Sequence, residues 1–256
     1  MIKGLAIDMD GTVYKGGDPI PGAAEFVSEL KRRGIPFTFV TNNSSRGSVY
    51  YYEKLRRMGF DVSRENILTS GTATLEFLRR ERPGKSVYLI GTESYLAEAG
   101  EYGIPLDSEH PDIVLLSFDT TITYEKINRA YHLLLGGAEF IATHPDDLCP
   151  NETDYDVDIG PFIRLLEQMT GVKAEVIGKP NRLLLDMASS RMGIRSDEIA
   201  MVGDRLYTDM RMAYDNGMPS ILVLTGETKE EDLEGSAVRP TYVLDSVRDI
   251  IDTVFS

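Results

Sequence analysis

A single cysteine, Cys149, is present among the 256 residues, so no internal disulfide can form. That fits a reducing compartment. No apolar run approaches the length of a membrane span. The first residues run straight into a strand, without the basic segment, apolar core and cleavage site of a signal peptide. The expected location is therefore cytoplasmic, with no membrane partner. Cations are also in deficit: 27 Lys and Arg stand against 41 Asp and Glu, a net charge of −14. A surface this acidic argues against nucleic-acid binding, which depends on neutralising phosphates. An anionic substrate would need a locally positive site made by metal, lysine or helix N-termini. The only histidines, His110, His132 and His144, are scattered without zinc-site spacing and are expected to be structural or surface residues. Neither an internal repeat nor a low-complexity segment occurs.

What remains is ordinary globular material, 42% hydrophobic and 27% charged. Strand and helix signals alternate throughout. The opening run Gly4-Leu5-Ala6-Ile7 reads as a strand, followed by a helix with Ala23, Phe26, Val27 and Leu30 on one face and Gly34 at its end. Phe37–Val40 is a second strand, and the helix after it places Val49, Tyr52, Leu55 and Met58 on one side. Ser70 is the expected N-cap of a third helix. Pro83-Gly84 breaks the pattern, and a second series begins with strands at Val87–Ile90, Ile113–Leu116 and Phe140–Ala142. Pro180 suits the first position of a further helix. Ile199–Val202, Ser220–Leu224 and Tyr242–Leu244 complete the strands, and the acidic run Lys229–Glu234 reads as a solvated helix face. This alternation predicts an α/β protein with parallel sheet layered against helices.

Four polar clusters fall at strand ends: Asp8 with Asp10, Thr41-Asn42-Asn43, Lys179, and Asp204 with Asp209. Carboxyl ends of strands line the ligand crevice of an open parallel sheet. Two carboxylates spaced i and i+2 can both face it, one binding metal and attacking, the other moving a proton. A phosphoryl group in transfer needs positioning and charge neutralisation above all. Thr41 offers a hydroxyl, amides near Asn42 precede a helix and remain free for an anion, Lys179 supplies a point charge, and Asp204 adds a hard oxygen.

With these residues in place, the sequence resembles the haloacid dehalogenase superfamily of phosphotransferases. Asp8-x-Asp10-Gly11-Thr12 matches its first motif, Thr41 its second, Lys179 its third, and Gly203-Asp204 with Asp209 its fourth. The strings Thr41-Asn42-Asn43-Ser44-Ser45-Arg46, Gly178-Lys179-Pro180 and Val202-Gly203-Asp204-Arg205-Leu206-x-Thr208-Asp209 are similar to the NagD-like, or p-nitrophenylphosphatase, subgroup. The resemblance implies a Rossmann-like catalytic core at 1–79 and 178–256, with a large inserted α/β cap at 80–177 that sets substrate specificity. It implies a Mg²⁺-dependent phosphatase for small phosphomonoesters, working through an aspartyl-phosphate. In that scheme Asp8 is the nucleophile and Asp10 the acid and base. Asp8, the Asp10 backbone carbonyl and Asp204 hold Mg²⁺. Thr41, the Asn42 amide and Lys179 grip the phosphoryl oxygens, and Asp209 stands behind them. A homodimer is an expectation from the resemblance alone.

His144 departs from the subgroup, which usually has Asn there, and Asp158-Ile159-Gly160-Pro161 replaces its Pro-Gly-containing segment. Both changes fall in the expected cap and bear on the substrate, a small phosphorylated metabolite. Sugar phosphates, nucleoside monophosphates, pyridoxal phosphate and phosphoglycolate all remain open. A phosphomutase, or a phospholigand-binding module without catalysis, are the alternatives. Gly178-Lys179 is not a nucleotide P-loop, because Pro180 stands where Ser or Thr is needed.

Overall fold

A computed structural model describes residues 1–150 and 154–255. The chain begins with β1 (Gly4–Ile7), a small hairpin of β2 (Tyr14–Lys15) and β3 (Asp18–Pro19), and α1 (Ala23–Arg33). β4 (Phe37–Thr41), α2 (Ser48–Arg57), β5 (Ile67–Thr69) and α3 (Ser70–Glu81) follow. Next come β6 (Val87–Ile90), α4 (Glu93–Glu101), β7 (Ile113–Leu116), α5 (Tyr124–Leu135) and β8 (Glu139–Ala142). The short strands β9 (Leu148–Pro150) and β10 (Tyr155–Val157) lead to α6 (Gly160–Thr170) and β11 (Glu175–Val176). α7 (Arg182–Met192), β12 (Ile199–Gly203), α8 (Arg211–Asp215), β13 (Ser220–Val223), β14 (Tyr242–Leu244) and α9 (Ile250–Val254) complete the order. No helix among the described residues is long and apolar enough to cross a membrane.

The chain divides into two compact units. The first comprises Met1–Thr41, Ser48–Leu68 and Lys179–Ser256, and the second Asn42–Gly47 with Thr69–Gly178. The residue-79 boundary expected from the sequence falls inside α3, which sits whole in the second unit.

The first unit is built on a six-stranded sheet in the order β14-β13-β12-β1-β4-β5. β1 pairs in parallel with β12 on one side and β4 on the other, and all four of its residues are buried. A strand covered on both faces reads as a continuous apolar run, which is what Gly4-Leu5-Ala6-Ile7 is. The register sets Ile7 opposite Val202 and Phe39, so β1, β4 and β12 reach their carboxyl ends at one edge of the sheet. α1 buries Phe26, Val27 and Leu30 and ends at Gly34, whose φ of 68° suits a residue without Cβ. Its last turn carries Lys31, Arg32 and Arg33, favourable at the negative end of the helix dipole.

The second unit holds a four-stranded parallel sheet, β11-β8-β7-β6, and the antiparallel pair β9-β10. Ile90, Val114, Leu116 and Phe140 from the sheet pack with Ala130 and Leu134 of α5 and Ile163 and Leu166 of α6. Threonine hydroxyls cap three helices here: Thr69, Thr92 and Thr123 accept from the amides of Thr72, Tyr95 and Lys126. The Asn42–Gly47 segment is tied into this unit by hydrogen bonds. Ser44 Oγ meets Thr143 Oγ1 at 2.9 Å and accepts from Phe118 N at 2.9 Å, while the Ser45 carbonyl accepts from Thr92 Oγ1 at 2.7 Å.

Four local expectations need correction. Thr69, not Ser70, caps α3, and the Ser70 hydroxyl instead donates to the Asn42 carbonyl at 2.5 Å. Pro180 precedes α7 instead of opening it, because Asn181 is the cap and accepts from Leu183 N at 3.0 Å. On α2 the buried face is Ser48, Tyr51 and Leu55, and Val49 is exposed: Tyr51 turns the helix about one position from the expected stripe. The Lys229–Glu234 run is an exposed 3₁₀ turn, in which Asp232 accepts from Lys229 N at 2.8 Å, and not a helix face.

Candidate active site

The parallel register of β1 and β12 brings Asp8 and Asp204, each just past its strand, to the same sheet edge. The ladder continues one step past β1, where Asp8 N donates to Val202 O at 2.8 Å. Thr41 closes β4 at that edge. Lys179 stands just upstream of α7, which packs against β4 and β1. Asp209 lies in a π-helical turn, Leu206–Met210, directly after β12. Such turns recur at functional sites because the extra residue re-aims side chains. Here the turn presses the Asp209 side chain against Gly203, where any side chain would collide with it.

Lys179 is the centre of the arrangement. It is 3% exposed, and its ammonium donates to Asp8 Oδ1 and, at 2.6 Å, to Asp209 Oδ1. Burial alone would push that ammonium toward neutrality, but the Asp209 and Asp8 carboxylates override it and raise its pKa, so Lys179 stays charged. Asp8 Oδ2 has no hydrogen-bond partner among the described residues. Carboxylate oxygens of Asp8, Asp204 and Asp209 all lie within 4.8 Å of one another. Burial, with the charge of Asp209 added, pushes the Asp204 carboxyl up to about 6, and burial likewise raises Asp8 against the pull of Lys179.

Asp204 is held tightly. Its Oδ2 accepts from Glu227 N at 2.7 Å, Thr12 Oγ1 is 3.5 Å from Oδ1, and Gly11 and Gly226 lie so close that a Cβ on either would strike the carboxylate. Gly11 also has φ 83°, a conformation that other residues adopt only with strain.

When all three carboxylates are ionised, Lys179 and the nearby Arg205 leave one negative charge uncancelled, and hard oxygens are the donors Mg²⁺ takes. The residues therefore fit a divalent cation. The Asp10 carboxylate is not in this group. Burial raises the Asp10 carboxyl, opposed by the charges of Lys54 and Arg205. Lys54 Nζ lies 3.8 Å over the ring of Tyr14, the residue bridged to Asp10.

Asn42, next in the chain after Thr41, belongs to the second unit, where its Nδ2 donates to both Asp146 oxygens at 3.1 Å. That unit also brings His144, Asp146 and Asp158 together, with ligand atoms within 4.8 Å. Spacing along the chain gives no sign of this group.

Arg205 and Glu227 have no role assigned from the sequence. Arg205 sits near Asp8, Asp204 and Asp209, whose charges raise its pKa, and its Nε is 3.1 Å from Glu227 Oε2. Its place beside Asp204 in the fourth motif is a usable signal. Glu227 acts on Asp204 through its backbone amide, which no side-chain pattern can reveal.

Comparison with known proteins agrees with this geometry. Residues 5–105 match the family described as haloacid dehalogenase-like hydrolase, and residues 176–250 match a second described as HAD-hydrolase-like. The chain is 36% identical over 237 residues to an acid sugar phosphatase of Staphylococcus epidermidis, covering 92% of each chain. A 4-nitrophenylphosphatase from Thermotoga maritima has a solved structure at TM-score 0.95 and 41% identity, covering 99% of this chain and 97% of that one. NagD from E. coli follows at TM-score 0.89 and 30% identity, with 98% of each chain covered. The chain belongs to the haloacid dehalogenase-like hydrolases and is a NagD-like phosphatase.

Proposed function

We infer that the protein hydrolyses small sugar or aryl phosphomonoesters with the help of Mg²⁺, through a phosphoryl group carried on Asp8. The observation that carries this reading is the buried Lys179 bridging Asp8 and Asp209, with the Asp8 Oδ2 free to act as nucleophile. Asp8 Oδ2 forms a bond to phosphorus as the bond to the leaving oxygen breaks, and Asp10 gives that oxygen its proton. A water then attacks the same phosphorus, Asp10 takes the proton from it, and the Asp8–phosphorus bond breaks to release phosphate. The raised carboxyl of Asp10 suits a group that must hold a proton in the first step.

Lys179 holds Asp8 in place and offers positive charge to the phosphoryl oxygens. Thr41 and the Asn42 amide are the further contacts for those oxygens. Asp8, Asp204 and the Asp10 carbonyl would hold the cation, with Asp209 anchoring Lys179 beside it. When bound, Mg²⁺ supplies charge neutralisation and a fixed orientation for the phosphoryl group. The second unit takes the part of the specificity cap. The lone Cys149 fits a reducing compartment, and we place the enzyme in the cytoplasm.

Phosphate release from a panel of sugar phosphates, nucleoside monophosphates and p-nitrophenyl phosphate, with Mg²⁺ and with chelator, tests the assignment. Turnover that persists in Asp8→Asn, or that ignores chelation, would overturn it.

A further inference from the structure

Tyr14, in the short hairpin after β1, is buried and bridged to Asp10. It packs in one apolar cluster with Tyr51 and Leu55, which fastens α2 to the hairpin. Lys54 lies beside Tyr51 on that face of α2, and its Nζ sits 3.8 Å from the centre of the Tyr14 ring. A ring face attracts an ammonium but is a weak acceptor, so the N–H donors of Lys54 remain to be used.

Lys54 is half-buried and has no hydrogen bond or ion pair among the described residues. Its charge nevertheless reaches Asp10. Burial raises the Asp10 carboxyl, and of the cations opposing that rise Lys54 acts most strongly, ahead of Arg205 and Lys15. Burial lowers the pKa of Lys54 in turn, and Asp10 opposes that fall. The two groups therefore stand close enough to attract, yet no ion pair closes between them. A lysine whose task was to neutralise Asp10 would pair with it directly.

An acid must come within hydrogen-bond reach of the oxygen it protonates. The reading of Asp10 as the acid of a phosphatase thus puts the leaving group beside Lys54, and the present inference rests on that reading. We propose that Lys54 determines specificity, its ammonium donating to an oxygen carried on the leaving group next to the ester oxygen that Asp10 protonates. An anionic leaving group is favoured over a neutral one, and a cationic one is rejected. A charge-assisted hydrogen bond is roughly twice as strong as a neutral one, and like charges repel.

Calorimetric titration of Asp8→Asn in the full chain, with Mg²⁺ present, reads binding apart from turnover. Phosphoglycolate, ethyl phosphate and phosphoethanolamine are probes of similar size whose leaving groups are anionic, neutral and cationic. Phosphoglycolate should bind about tenfold tighter than ethyl phosphate, with phosphoethanolamine the weakest. Adding Lys54→Met, which keeps an apolar side chain over Tyr14, should bring the three affinities together, while adding Lys54→Arg should preserve their order. Equal or absent binding of the probes before Lys54 is changed overturns the proposal. So does an order that survives Lys54→Met, including a uniform weakening of all three, which is what loss of a purely structural cover on Tyr14 would produce. Phosphate release from p-nitrophenyl phosphate by the unaltered chain tests the phosphatase reading separately. Its absence, with the charge order intact and lost in Lys54→Met, would overturn that reading and leave the Lys54 contact standing.

Discussion

Each unit gathers a trio of metal-ligand side chains, and the two trios differ in what stands among them. In the first unit Asp8, Asp204 and Asp209 surround a buried lysine; in the second Asp146 and Asp158 share space with His144. The first trio is all oxygen and, when ionised, carries more negative charge than Lys179 and Arg205 cancel, so it could hold a further cation. The second is organised by directional hydrogen bonds to an imidazole and to the Asn42 amide, and those bonds occupy Asp158 Oδ1 and both oxygens of Asp146. Similar residue types thus serve different ends, and the neighbouring donors decide which.

The strongest way to break this contrast is at the nucleophile. Asp8→Asn should lower phosphate release by on the order of 10⁴-fold or more while leaving the circular dichroism spectrum unchanged. Asp10→Asn should cost about 10²- to 10⁴-fold in kcat, the range of a lost general acid. If it costs nothing, Asp10 is not the proton carrier.

The charge imbalance can be read without any substrate. Asp204 is raised to about 6 and Asp8 to about 8, from an ordinary value of 3.8. Between those values the folded chain holds more protons than the unfolded one, so the metal-free protein should lose stability as pH rises from about 4 to 8. Lys179, its pKa raised, remains charged over that whole range. Mg²⁺ favours the ionised carboxylates and should flatten the slope, adding about 2.7 kcal/mol at a hundred times its Kd. Melting curves with Mg²⁺ and with chelator, near the two ends of that pH range, check this. A chelated protein more stable at the alkaline end would contradict it.

The smallest expected effect sharpens the comparison from the other side. His144→Asn removes a donor from buried Asp158 and should destabilise by about 1–3 kcal/mol in urea unfolding. Mg²⁺ should not recover that loss, since the affected carboxylate lies outside the first trio.

The grouping of polar residues in the first unit was largely legible because it sits at the ends of apolar strands. Ile7, Val40 and Val202 announce buried strands, and Asp8, Thr41 and Asp204 stand just beyond them. Parallel pairing then makes those ends coincide. Asp209 was harder to place, since its position depends on a π-helical turn that has no strong side-chain signature. The second trio was invisible for another reason. Nothing in the spacing of His144, Asp146 and Asp158 shows that the loop after β8 folds back on the start of α6, where Gly160 N donates to Asp146 O at 2.8 Å. Local errors had the same origin: Thr69 displaced Ser70 as a cap because the Ser70 hydroxyl was drawn to a carbonyl far away in sequence.

The place of β1 in its sheet bears on how the chain assembles. One flank is filled early by β4, but the other waits for β12, which begins only at Ile199. During synthesis that delay lasts on the order of ten to thirty seconds. A bare apolar strand edge is a template for unwanted pairing. Apart from Asn42–Gly47, the second unit is one continuous stretch and can be complete before the first sheet closes. The nascent protein is therefore most vulnerable to aggregation in that interval, along the β1 edge that later carries the nucleophile.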